Sequence, residues 1–142
     1  MLGTHVVKSW SVTQKVTALS SGEAEHYAIV KGASQGIGIR SMLQDFQINH
    51  ASQRLVEIKE DSSAAKGIAS RRGLGKLKHI DIKELWIQEK VNSGELEITK
   101  VRGTVNLADA LTKYCDVHVT RFHFEHTSQH ISNDRHELMP TV

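Results

Sequence analysis

Two short apolar-rich runs constrain this chain more than anything else in it. Leu55-Val56-Glu57-Ile58-Lys59-Glu60 and Leu96-Glu97-Ile98-Thr99-Lys100-Val101 each have the length and composition of a β-strand. The intervening sequence is too long for a hairpin, and its pattern is helical. Ser62 to Ala69 reads as a short helix directly after Asp61. Ile80 to Val91 reads as an amphipathic helix, with Ile80, Leu85, Trp86 and Val91 near its apolar stripe, and Asn92-Ser93-Gly94 stops it. Strands separated by helices pair in parallel through a right-handed crossover, which places the chain in the α/β class. The apolar residues of the first run are bunched, as in a strand partly covered on both faces.

Upstream, Ser20 followed by Glu23 is a capping box, so a long helix begins at about Ser21 and runs to Phe46. Gly32, Gly36 and Gly38 each weaken that helix by roughly 1 kcal/mol relative to alanine. Glycines so placed would allow close packing against a sheet. His5 to Ser11, with Val6, Val7 and Trp10, alternates weakly and reads as a short strand. Asn49 to Gln53 is a polar connection, and Asn106 to Lys113 is a final short helix. After Cys115 the pattern dissolves, so residues 1–115 read as one domain and 116–142 as a poorly ordered, histidine-rich tail.

Composition narrows the class of function. A chain of 142 residues is long enough for one real core. Its net charge of +2 is too small to argue nucleic-acid binding from the total, so only local clustering bears on that question. The single cysteine, Cys115, excludes an internal disulfide framework and fits a reducing compartment. No apolar run is long enough to span a bilayer, and the N-terminus lacks the apolar core of a signal peptide. The expectation is an intracellular chain without membrane contact, or a piece of one.

Three acids fall at comparable places: Glu25 early in the long helix, Asp61 at the carboxyl end of a strand, and Asp109 in the first turn of the last helix. Each has a plain alternative. Glu25 can be a solvated helix residue, Asp61 can cap the helix after it, and Asp109 can form a capping pair with Asn106. Functional groups of open α/β sheets nevertheless gather outside the carboxyl ends of strands. Three carboxylates meeting there would be hard-oxygen ligands for Mg²⁺ or Mn²⁺, suited to two-metal phosphodiester hydrolysis.

Thr17-Ala18-Leu19-Ser20-Ser21-Gly22-Glu23-Ala24-Glu25-His26-Tyr27-Ala28 resembles the signature of the ribonuclease H domain of copia-type LTR retrotransposon polyproteins. Trp10 in Ser-Trp-Ser, Asp61-Ser62-Ser63-Ala64, Lys78-His79-Ile80-Asp81-Ile82 and Asn106-Leu107-Ala108-Asp109-Ala110-Leu111-Thr112-Lys113 follow in the family's order, covering about residues 5 to 115. The resemblance implies a ribonuclease H-like fold that cuts the RNA strand of RNA–DNA hybrids with two divalent ions. It implies a reverse transcriptase region of the same polyprotein as partner, and a cytoplasmic particle or the nucleus as location. By motif position Glu25, Asp61 and Asp109 are three of the family's four catalytic, metal-holding acids, with Glu23 as the capping neighbour. The two glutamates can be exchanged in that assignment.

One departure stands out. The family's first catalytic aspartate lies on an opening strand, yet nothing before Glu23 in this sequence is acidic. The resemblance therefore implies an incomplete mixed sheet flanked by helices, lacking the fold's first two strands. The chain then reads as a truncated copy, a gene fragment or a piece of a larger polyprotein, inactive as it stands. The alternative is a non-catalytic remnant that binds nucleic acid. Under either reading the dense basic loop carrying Arg71, Arg72, Lys76 and Lys78 is the candidate contact to the phosphate backbone. His123, His126 and His130 in the tail share a helical spacing, but no cysteine accompanies them as in most structural zinc sites.

Overall fold

The computed structural model describes residues 1–48, 55–73, 75, 85–112 and 114–130. They fall into two compact units, Thr13–Asn106 and a second made of Met1–Val12 with Leu107–Val142. The first unit carries the sheet, its elements running α1 (Ser21–Asp45), β1 (Val56–Glu60), α2 (Ser63–Ser70), α3 (Trp86–Asn92) and β2 (Leu96–Lys100). A 3-10 turn over Gly103–Val105 follows. β1 and β2 pair in parallel, with Val56 opposite Leu96 and Glu60 opposite Lys100. The Val101 N–H donates to the Glu60 carbonyl at 2.9 Å and carries the ladder one step beyond β2. The parallel pair expected from the helical spacer is therefore present, within a mixed α/β unit.

Helices cover the pair. The core gathers Ile29, Val30 and Ala33 from α1, Ala65 and Ala69 from α2, Ile87 from α3, and Leu96 and Ile98 from β2. β1 alternates rather than bunches: Val56, Ile58 and Glu60 are the more covered positions, while Glu57 and Lys59 face solvent. Glycines mark where α1 comes closest to its neighbours. A Cβ at Gly36 would lie 2.7 Å from Val56 Cγ1, and one at Gly22 would lie 2.8 Å from Ala64 Cβ. The helix thus gives up propensity at these positions and gains close approach to β1 and α2.

Gly22 allows a direct test of that trade. Val56 can swing aside from a methyl at Gly36, but the Ala64 methyl has no rotamer to change. Gly22→Ala is expected to destabilise the chain by about 1 kcal/mol, overpacking outweighing the gain in helix propensity. Urea denaturation measures it. A variant as stable as the parent or more stable would show that α1 and α2 are not held at this distance.

Two sequence expectations are corrected here. His5 to Ser11 form no strand; the backbone pairing described in that region is a single bridge between Leu2 and His5. Val7 and Trp10 remain 47% and 37% exposed, so the segment buries no apolar face that would hold it in a sheet. The stretch after Cys115 is ordered further than its composition suggests, because Val117–His126 forms a helix, α4. Asp116 caps it, its Oδ1 accepting the Val119 N–H at 2.9 Å. Within this second unit α4 packs against a 3-10 turn over Leu107–Leu111, the tighter form taken by the expected last helix. The expected helix from Ile80 is described only from Trp86 onward, because residues 76–84 lie outside the described set. It ends in a Schellman motif: the Gly94 N–H donates to Val91 and the Glu95 N–H to Lys90, with Gly94 at φ +75°. Among the described residues no helix is long and apolar enough to cross a membrane.

Candidate functional site

The start of α1 fixes the first acid. Ser20 Oγ accepts the Glu23 N–H at 3.2 Å, forming the expected cap. Glu23 turns back into the fold and is 1% exposed. Its Oε2 accepts the Leu19 N–H at 2.8 Å, and its Oε1 accepts the Tyr27 hydroxyl at 3.2 Å. Glu25, two residues on, faces outward and is exposed. The two glutamates are thus divided between holding the helix start and presenting a carboxylate at the surface.

The carboxyl end of β1 supplies the next two. Ser62, not Asp61, caps α2, with its Oγ accepting the Ala65 N–H at 3.2 Å. The cap alternative for Asp61 therefore falls. Asp61 is half-buried beside the turn after β2, where a Cβ at Gly103 would lie 3.3 Å from Asp61 Oδ2. Glu60, which sequence reasoning passed over, is 8% exposed. Its Oε1 accepts the Ser62 N–H at 2.8 Å.

The Glu60 carboxyl is pushed up to about 7. Burial is the main cause, followed on the same side by a hydrogen bond with the Asp61 carboxyl and by the negative charges of Glu25 and Asp61. The Ser62 N–H pulls the other way. Acids from the start of α1 and the end of β1 therefore share one electrostatic neighbourhood, despite their separation in sequence. The alternation of Val56, Ile58 and Glu60 was the signal that could have placed Glu60 on the covered face.

These donors fit a hard divalent cation in kind. They are carboxylate oxygens in a site where burial, and after it the neighbouring negative charges, favour retention of a proton on Glu60. In geometry they fall short: among the described residues no three Asp, Glu, His or Cys side chains stand close enough to hold one ion. Asp109 belongs to the second unit, half-buried in the 3-10 turn, where its carbonyl accepts the Thr112 N–H at 3.1 Å. In the same unit, His123 Nδ1 lies 3.1 Å from the Leu107 carbonyl and His126 Nδ1 lies 2.9 Å from that of Phe122.

The basic loop leaves the end of α2. Arg71 and Arg72 are described, whereas Lys76 and Lys78 lie outside the described residues. Arg72 is exposed. The Arg71 guanidinium folds over Gly75, where a Cβ would lie 2.7 Å from Nη1. Gly73 and Gly75 take φ of +77° and +57°, the left-handed region that favours glycine. Gln88 of α3, 5% exposed, reaches across to this loop. Its Nε2 donates to the carbonyls of Ile68 at 2.8 Å and Gly73 at 3.1 Å, and its Oε1 accepts the Gly73 N–H at 2.8 Å.

Comparison with known proteins fits the polyprotein resemblance at a coarse level. No family model matches the chain, and no solved structure matches it. A curated relative is 34% identical over 107 residues, 74% of this chain: the Retrovirus-related Pol polyprotein from transposon TNT 1-94 of Nicotiana tabacum. The chain spans only 8% of that protein's length. The similarity supports derivation of this chain from a retrotransposon Pol polyprotein.

Proposed function

We propose that the chain is the ribonuclease H-type part of such a polyprotein, acting on the RNA strand of an RNA–DNA hybrid when its acid set is complete. The observation that supports this most is the acidic neighbourhood of Glu25, Glu60 and Asp61 at the carboxyl end of β1. Glu25, Asp61 and Asp109 are the acids that would hold Mg²⁺ or Mn²⁺ in the complete family domain. Divalent ions there would supply activation of the attacking water and positive charge at the scissile phosphate. Around them this chain's own residues have simpler tasks. Glu23 anchors the start of α1 so that Glu25 is presented outward, and Ser62 frees Asp61 from capping duty. Arg71 and Arg72, with Lys76 and Lys78, would track the phosphate backbone, and the reverse transcriptase region of the same polyprotein would deliver the hybrid.

Binding tests the basic-loop part of this reading. Replacing Arg71, Arg72, Lys76 and Lys78 with alanine is expected to weaken hybrid binding. It should also flatten the dependence of log affinity on log salt by about 0.9 for each phosphate that is no longer neutralised. An unchanged slope in titrations at several salt concentrations would remove the loop from the interface. Retained salt-dependent binding with no cleavage under any conditions would favour the non-catalytic remnant.

A further inference from the structure

The amide of Gln88 is the polar group through which α3 reaches the loop after α2, and that loop carries both described arginines. A glutamine that is 5% exposed on a helix face needs a reason, since an amide buried without partners forfeits its hydrogen bonds to water. Here the two N–H groups and the oxygen are all used, and each partner is loop or loop-proximal backbone. Ile68 provides the carbonyl at the end of α2, while Gly73 provides both its carbonyl and its N–H. The paired bonds to Gly73 copy the way one strand holds another, and they fix the peptide on the far side of Arg71 and Arg72. Gly73 must then stay at φ +77°, so the chain reverses just after the two arginines. The second left-handed glycine, Gly75, provides the bare surface against which the Arg71 guanidinium lies. The loop thus has both ends of its arginine pair tied, to α2 on one side and to Gln88 on the other.

We infer that Gln88 is a positioning residue for phosphate-backbone contact: by clamping Gly73 it presents Arg71 and Arg72 in one fixed arrangement to the nucleic acid. The inference rests on the functional reading above for its ligand, but the clamp itself is a separate claim with its own test. An unclamped loop would have to be ordered when nucleic acid binds, which lowers affinity; a clamped one is ordered already. Gln88 does not touch the backbone phosphates in this account; it acts through the loop.

Gln88→Met keeps the side chain's length and apolar packing on α3 and removes all three hydrogen bonds. Gly73→Val disturbs the same clamp from the loop side without touching α3. Both are compared with the parent and with an Arg71→Ala/Arg72→Ala pair, in two measurements. The first is the rate of trypsin cleavage after Arg71 and Arg72 without nucleic acid, read by mass spectrometry under native conditions. The clamp predicts about tenfold faster nicking in both clamp variants, the effect of losing a satisfied buried network, with far-ultraviolet circular dichroism unchanged. The second is the salt slope of binding to an RNA–DNA hybrid, expected to fall in the clamp variants toward that of the arginine-less pair.

Nicking no faster than in the parent would overturn the clamp. Faster nicking with a parental slope, while the arginine-less pair has a reduced slope, would overturn the positioning role and leave the functional reading intact. A slope unchanged in every variant would overturn the basic loop as the contact, and the inference with it.

Discussion

Glu60→Gln is expected to stabilise the chain above pH 7 and to remove most of the fall in stability between pH 4.5 and 7. The sign follows from the two states of one carboxyl. Its folded value of about 7 lies above the ordinary 4.5, so across that window the folded chain keeps a proton that the unfolded chain has lost. Stability from this group is full below 4.5, declines as pH rises through the window, and is not regained above 7. Glutamine keeps an oxygen to accept the Ser62 N–H and brings an amide, not a charge, toward Glu25 and Asp61. The gain at pH 8 should be about 2 kcal/mol. That is less than the full linkage value, because Glu25 is exposed and Asp61 only half-buried, so water and ions screen their charges. Chemical denaturation at pH 5 and pH 8 checks it, with little difference between parent and variant at the lower pH. Equal stability at both pH values would mean that burial and the neighbouring acids do not hold the Glu60 carboxyl above its ordinary range.

That carboxyl also shows where the sequence stopped being informative. The parallel pair and the start of α1 were legible because their causes are local. Two apolar runs lie either side of helical sequence, and a serine stands three residues before a glutamate. The division of labour between Glu23 and Glu25 was not, since it depends on Leu19 and Tyr27 closing around one of them. Asp61 and Ser62 are adjacent, and both can cap a helix; only the backbone at the end of β1 assigns the cap to Ser62. The strand expected at His5–Ser11 failed for the opposite reason. Weak alternation is a local signal, but a strand needs a pairing partner, and the described backbone pairing of that segment is a single bridge between Leu2 and His5. α4 was hidden by its histidines, although Asp116 three residues before Val119 marked its start. Gln88 carried no signal at all, because its three partners are backbone atoms of Ile68 in α2 and of Gly73 in the loop after it.

The largest expected effect concerns cleavage. Under the proposed function, Glu25, Asp61 and Asp109 would set three negative charges against the four positive charges of two divalent ions. The resemblance implies a fourth metal-holding acid, and residues 1–22 here include neither Asp nor Glu. Without that ligand the transition-state stabilisation expected from a paired-metal site, several kcal/mol, is forfeited. The acids present are thus expected to be insufficient by themselves, and a fourth carboxylate would have to draw them around the ions as well as complete the set.

Cleavage of a labelled RNA–DNA hybrid in Mg²⁺ and in Mn²⁺ tests that claim most directly. The assay sets the 142-residue chain beside the same chain fused behind a reverse transcriptase segment ending in an aspartate-bearing strand pair. The account predicts no measurable cutting by the chain alone and metal-dependent cutting by the fusion, abolished by Asp61→Asn. Metal-dependent cutting by the chain alone, lost on Asp61→Asn, would contradict the weight placed on the absent aspartate. A fusion that binds the hybrid but never cuts it would contradict the assignment of Glu25, Asp61 and Asp109 as catalytic acids.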